Sequence, residues 1–376
     1  MIALHPDIDP GGLLEYSVVY TDRALNHMSR NFQDVMRDIS RVLKQVYQAR
    51  SAVVIPGSGT FGMEAVARQF ATDQEVLIIR NGWFSYRWTQ IMEMGRIPRN
   101  CTVMKARQVG EGGTRASFAP VPAAEVAAEI AARKPAVVFA PHVETSAGMM
   151  LPDSYLKTIA DAVHAVGGLF VLDCVASGAM WVDMAATGVD VLITAPQKGW
   201  SSSPCAGLVM LSERARARID ETTSSSFSCD LRKWLQIMET YEGGGHAYHA
   251  TLPTDGLRRL AQMMHEAEAV GFDTLRAAQQ AIGDRIRALL EARGFRSVAA
   301  DGFKAPCVVV SYTDDGEIQS GRRFMALGMQ IAAGVPLQVD EPADFKTFRI
   351  GLFGLDKLCN VDRTVRSFEE ALTALA

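Results

Sequence analysis

No Cys-x-x-Cys pair occurs among the six cysteines, at positions 101, 174, 205, 229, 307 and 359. Several sit in apolar runs such as "FVLDCVAS" and "APCVVVSY", so they read as buried free thiols in a reducing compartment. No block of lysine and arginine stands out. With 38 basic against 42 acidic residues the net charge is −4, and a nucleic-acid or anionic-membrane partner is not expected. No apolar stretch approaches the 18 residues of a membrane span, and "MIALHPDIDPGG" has no basic segment leading into an apolar core. The chain therefore reads as soluble and cytoplasmic. Internal repeats and low-complexity tracts are also missing.

What remains is an ordinary globular composition. The 376 residues, 48% of them hydrophobic, supply a large core and length for two domains. The first 28 residues, around "DPGG", read as an irregular arm. Apolar residues at Phe32, Val35, Met36, Ile39, Leu43 and Val46 recur at helical spacing, with Ser29 placed to cap the helix. Short apolar runs then alternate with helical ones: "EVLIIR", "FSYRWTQIMEM", "CTVMKA", "AAEVAAEIAARK", "AVVFAP", "DSYLKTIADAVHAVG", "LFVLDC", "DVLITAP" and "GLVML". Strands without strict alternation, separated by helices, predict an α/β sheet covered on both faces. Helices dominate from about Asp230 to Arg293, interrupted at "EGGGHAYHATLPTDG". The rest, with "APCVVVSYT", "FRIGLFGL" and a final helix, reads as a smaller α+β unit. The boundary is placed at 268/269, giving an arm (1–28), a large domain (29–268) and a small domain (269–376).

Three strand ends carry candidate chemistry. Gly57-Ser58-Gly59-Thr60-Phe61-Gly62 fits G-x-G-x-x-G where a helix begins, and free N–H groups there favour a phosphate. A ligand-free tight turn is the plain alternative. A dinucleotide site needs an acid after the next strand, but "EVLIIRNG" ends in Arg80 and Asn81, so that reading weakens. Asp173 closes an intensely apolar strand, where a carboxylate is costly without a positive partner. It is either a cap or structural ion pair, or it holds a proton on a cationic ligand such as a pyridinium. Lys198 follows another apolar strand. Buried, its amine loses hydration and becomes a nucleophile able to form a Schiff base; exposed, it merely snorkels. Phosphate cradle, carboxylate and lysine together suit pyridoxal phosphate.

The segments "PGSGTFGMEAV", "NGWFSYR", "HVETSAGMM", "VLDCVAS", "TAPQKG", "YHATLP" and "FRIGLFG", in this order, resemble the class V aminotransferases of fold type I, near the serine/alanine–glyoxylate (or pyruvate) group. The resemblance spans residues 56 to 354. It implies a mostly parallel seven-stranded sheet between helices, with a smaller C-terminal domain, and pyridoxal 5'-phosphate as cofactor. Ser58, Gly59 and Thr60 would hold the cofactor phosphate. Phe84 would stack on the ring, with Trp83 as a possible substitute. Thr145 would bond the phenolic oxygen, Asp173 the ring nitrogen, and Val175 would pack against the ring. Gln197 precedes the Schiff-base residue Lys198. Tyr248 and Thr251 would reach the phosphate of a neighbouring subunit in a homodimer, and Arg349 would grip the substrate carboxylate. The implied reaction is ping-pong transamination from alanine or serine to glyoxylate or pyruvate, with no metal.

The arm departs from the family pattern: His27, Ser29 and Phe32 keep it, while Met28 replaces a basic residue. That leaves room for 2-aminoethylphosphonate–pyruvate transamination. A cysteine desulfurase or lyase on the same scaffold would need a cysteine on a mobile loop, with Cys307 and Cys359 as candidates. A nicotinamide-dependent oxidoreductase is a further rival.

Overall fold

The computed structural model describes residues 7–375. Seven strands form its central sheet: β1 (Ser51–Pro56), β2 (Glu75–Arg80), β3 (Asn100–Lys105), β4 (Val137–Pro141), β5 (Leu169–Asp173), β6 (Val191–Thr194) and β7 (Ala206–Leu211), in the order β1-β7-β6-β5-β4-β2-β3. Every residue of β4, β5, β6 and β7 is buried. Since successive strand side chains point to opposite faces, the middle of the sheet is covered on both sides.

The expected helices supply that cover. They include α1 (Arg30–Tyr47), α2 (Gly59–Phe70), α3 (Trp83–Gly95), α4 (Ala123–Arg133) and α5 (Asp153–Ala165). Ser29 caps α1 by accepting from the Asn31 N–H, and Gln48 ends it in a left-handed conformation. No helix or strand precedes α1 among the described residues, so the arm is irregular as expected; residues 1–6 lie outside the description.

Direction matters more than order. β7 is antiparallel to both β1 and β6, and the other pairings are parallel. Two reversals leave β1 running with the parallel set. The carboxyl ends of β1, β2, β4, β5 and β6 therefore open on one edge, where ligands bind in sheets of this kind.

Two long helices follow, α6 (Thr254–Val270) and α7 (Phe272–Ala292), separated by Gly271 at φ +98°. A three-stranded antiparallel sheet comes next. Its central strand, β10 (Thr347–Gly351), lies between β8 (Val308–Tyr312) and β9 (Ala332–Ala333). Buried Gln279 of α7 ties the two sheets together. Its amide N–H groups donate to the carbonyls of Pro306 and Leu352, and its oxygen accepts from the Ala179 N–H.

The cysteine expectation holds only in part. Cys174, Cys229 and Cys307 are buried, but Cys101 and Cys359 are exposed. Cys101 sits near the start of β3, which ends the sheet and has no strand beyond it. Cys359 closes a short helix, Leu355–Cys359, on the surface. Apolar neighbours in sequence do not bury a residue at the rim of a layer.

Candidate active site

The glycine loop leaves β1 through Gly57, which takes φ +124°, a conformation an L side chain rarely adopts. Gly59 opens α2 so near β5 and β6 that a Cβ would stand 2.7 Å from Val175 Cγ2 and 3.3 Å from Ala195 Cβ. A Cβ on Gly62 would stand 3.3 Å from Ile193 Cγ2. The pattern thus marks a tight turn and close helix–sheet approach. Ser58 is the N-cap residue of α2, yet its side chain makes no cap bond. Ser29, Asp183, Ser212, Asp230 and Asp315 do cap their helices. The Ser58 hydroxyl and the first N–H groups of α2 are thereby left for a ligand.

Asp173 ends β5 beside Pro141 of β4 and Ile193 of β6. It is 8% exposed, and Oδ1 accepts from the Val175 N–H at 2.9 Å. Burial pushes its pKa up to about 6; that N–H pulls it down, Glu144 raises it, and Arg87 pulls it down. Among the described residues no cation lies in ion-pair range of it. Two strands' width away from β1, the chain leaves β6 through Pro196 and Gln197 to Lys198. Two backbone bonds, Ser201 N–H to Lys198 O and Ser202 N–H to Pro196 O, fold this turn tightly. Lys198 Nζ stands 5.0 Å from the Phe353 ring centroid. Burial lowers its pKa, the nearby Arg349 guanidinium lowers it further, Cys307 opposes them, and Arg87 adds a lesser lowering. The Gln197 Oε1 is buried without a hydrogen-bond partner.

Phe84 is the second residue of α3, and α3 is held by a residue the sequence analysis passed over. Fully buried Glu144 accepts from the Phe84 N–H at 3.2 Å, the Ser85 N–H at 2.8 Å and the Ser146 N–H at 3.1 Å, and also from both serine hydroxyls. A carboxylate at a helix N-terminus is favourable twice over, through its bonds and through the dipole. Thr145, buried between Glu144 and Ser146, sits in the turn Thr145–Gly148 that this network fixes. The ring of Phe84 meets two guanidiniums, Arg87 at 5.3 Å and Arg349 at 5.6 Å. Trp83 packs near Tyr86 instead, with centroids 6.0 Å apart.

Arg349 lies on β10 between its neighbours Val310 and Ala332. Its Nε donates to the Ala333 carbonyl at 2.8 Å, it is half-buried, and burial lowers its pKa. Tyr248 and Thr251 stand apart from this cluster. Tyr248 is 53% exposed, bonds Thr251 at 3.2 Å, and lies 5.5 Å from the His27 ring of the arm.

Arg87 and Phe353 also escaped the sequence reading. Both lie inside quoted segments, "NGWFSYR" and "FRIGLFG". The signal for Arg87 was its place three residues after Phe84, which sets both on one helix face. The thiol of Cys307 donates to the Ala176 carbonyl at 3.1 Å, and burial pushes its pKa up to about 12. Such a thiol is a poor nucleophile. Cys359 closes a helix rather than riding a loop, so neither cysteine fits a desulfurase.

The model of the family described as "Aminotransferase class-V" matches residues 13–314. The chain belongs to the class-V aminotransferases. It is accordingly a pyridoxal-phosphate-dependent aminotransferase of the fold type I architecture. The alanine–glyoxylate aminotransferase of Rattus norvegicus is 25% identical over 363 residues, covering 93% of this chain and 82% of the relative. The 2-aminoethylphosphonate–pyruvate transaminase 1 of Burkholderia lata is 28% identical over 332 residues, covering 86% and 83%. The crystal structure of an alanine–glyoxylate aminotransferase from Nostoc sp. superposes with a TM-score of 0.76 at 22% identity, covering 92% of this chain and 88% of that one.

The residues present fit the family cofactor. Asp173 is a buried anion in want of a cation, and Ser58 leaves the end of α2 open to a phosphate. Among the described residues no cluster of histidine, cysteine and acidic side chains is arranged to hold a metal ion.

Proposed function

We propose that this site moves an amino group from a small amino acid, alanine or serine, to glyoxylate or pyruvate in two half-reactions. The carrying observation is that one edge of the central sheet holds Asp173, buried at the end of β5, and Lys198, half-buried just past β6, with the half-buried Arg349 guanidinium near enough to lower the lysine's pKa. Pyridoxal phosphate, when bound, supplies an aldehyde for the amine and a ring that takes up the electron pair released at the substrate Cα. Ser58, Gly59 and Thr60 would bind its phosphate, Gln197 would line the cofactor beside Lys198, Phe84 and Val175 would pack against its ring, and Thr145 would bond its phenolic oxygen. Asp173 would keep a proton on the ring nitrogen. Arg349 would take the substrate carboxylate as a planar two-pronged donor. Lys198, displaced by the substrate amine, would take the Cα proton; its lowered pKa keeps a share of it neutral for that role.

The working unit would be a homodimer, with Tyr248 and Thr251 serving the partner's phosphate. Their exposure, and that of Leu13, Leu14, Tyr16 and Val18 on the arm, support this. The expected division at 268/269 would fall inside the last turn of α6, so we set it at Gly271, which separates α6 from α7. No described helix is long and apolar enough to cross a membrane. The free cysteines support a cytoplasmic location.

A donor-by-acceptor screen tests the reading. Alanine, serine, aspartate and 2-aminoethylphosphonate are mixed singly with holoenzyme, and loss of the visible cofactor band is followed. Alanine or serine should react fastest, and Arg349→Ala should raise KM for them about 10- to 100-fold. A fastest reaction with 2-aminoethylphosphonate would move the substrate assignment, and no reaction with any donor would end it.

A further inference from the structure

A phosphate ester carries close to two negative charges at neutral pH. The cradle at the start of α2 offers it only neutral donors, N–H groups and hydroxyls, plus a helix dipole equivalent to about half a charge. A buried dianion held that way is undercompensated. Lys198 is committed to the aldehyde end, and Arg349 is held on β10 by its bond to Ala333. A third cation bonds to the cradle itself.

Arg87 Nη1 donates to Thr60 Oγ1 at 3.2 Å. Thr60 is the second residue of α2, so this bond brings a full positive charge to that helix's positive end. Arg87 itself lies in the second turn of α3, near another positive end. Both placements are unfavourable for a cation unless an anion lies between. Among the described residues no carboxylate comes within ion-pair range of Arg87, and the side chain is half-buried. The guanidinium spends one of its five N–H groups on Thr60 and keeps others free. Having accepted that bond, Thr60 Oγ1 still has its own hydroxyl proton to donate to another acceptor. Arg87 is also near enough to Asp173 and Lys198 to lower the pKa of each.

We propose that Arg87 is a phosphate-binding residue, the cation that neutralises the cofactor phosphate in the α2 cradle. This rests on the pyridoxal-phosphate reading of the site. The competing role for the same guanidinium is to hold a second anionic group on the substrate. The bond to Thr60, on the side of the cradle, favours the phosphate.

The test compares pyridoxal phosphate with pyridoxal, which lacks the phosphate. Apoprotein is titrated with each, and dissociation constants are read from the visible absorbance for wild type, Arg87→Gln and Arg87→Lys. Arg87→Gln should weaken pyridoxal phosphate about 10- to 100-fold, the range of a charge-assisted bond to an anion, and leave pyridoxal within about twofold. Arg87→Lys should recover part of the loss. Melting of each apoprotein checks that the variants fold; the lysine variant, still cationic, carries the comparison if the glutamine one does not. Unchanged affinity for pyridoxal phosphate, or equal losses for both ligands, overturns the proposal. So does an effect confined to KM for aspartate or 2-aminoethylphosphonate. Failure of wild-type apoprotein to take up pyridoxal phosphate would instead sink the reading of the site, and this inference with it.

Discussion

A carboxylate sealed at the end of an apolar strand is matched by a cation or pushed toward its neutral form. Asp173 carries that cost in the cofactor-free protein. Its pKa is raised from 3.8 to about 6, so between these values the folded state holds more proton than the unfolded one. Stability from this group is full below pH 4 and is lost as pH rises through 6, on the order of 3 kcal/mol. Asp173→Asn keeps an acceptor for the Val175 N–H and removes the charge. The apo variant should therefore melt above apo wild type at pH 7, with the gap closing by pH 4, while its transaminase activity falls steeply. Equal melting at both pH values would mean that the carboxylate is relieved in some other way. Asp173 and Lys198 could be read from the sequence because each breaks an apolar run, and a charge there needs a reason. Glu144 and Arg87 could not. Neither interrupts an apolar strand, and the importance of each comes from what the fold sets opposite it: the N–H groups of α3 for one, Thr60 for the other.

Elements were more legible than contacts. Nearly every strand and helix of the large sheet announces itself by an apolar run or a 3.6-residue period. The short pairing of Arg107–Val109 with Ser117–Ala119, and the hairpin of Val143–Glu144 with Met149–Met150, did not, since two or three residues carry no period. Strand direction was silent too, because β7 reads like any buried strand and only its partners make it antiparallel. Its placement gives Gly207 a role that the sequence hides. A Cβ there would stand 2.8 Å from Gly62 N and 2.8 Å from Ser58 O, both backbone atoms that cannot swing aside. Gly207→Ala should destabilise the protein by about 1–3 kcal/mol and weaken cofactor binding, by prising α2 from the sheet. Thermal melting and the pyridoxal phosphate dissociation constant read both effects. Unchanged values would show that the helix has room to shift.

At the scale of the whole molecule, Tyr248 and Thr251 have no part in the Lys198 cluster of their own chain, while the arm exposes Leu13, Leu14, Tyr16 and Val18. If each chain lends Tyr248 to its partner, two defective variants should mend each other. Lys198→Ala and Tyr248→Ala, refolded together in equal amounts, should regain about a quarter of wild-type activity, from one whole site in each mixed dimer. No gain over the separate variants would return Tyr248 to its own chain. The seating of β7 between β1 and β6 has one more consequence, for biosynthesis. The loop around Ser58 emerges early from the ribosome, but the wall it rests on is not made until residue 207 follows, and Arg349 comes later still. A nascent polypeptide stalled before β7 would own every atom of the glycine loop and have nothing to hold it in shape. Capture of the vitamin-derived group would on that account wait until β7 has been made.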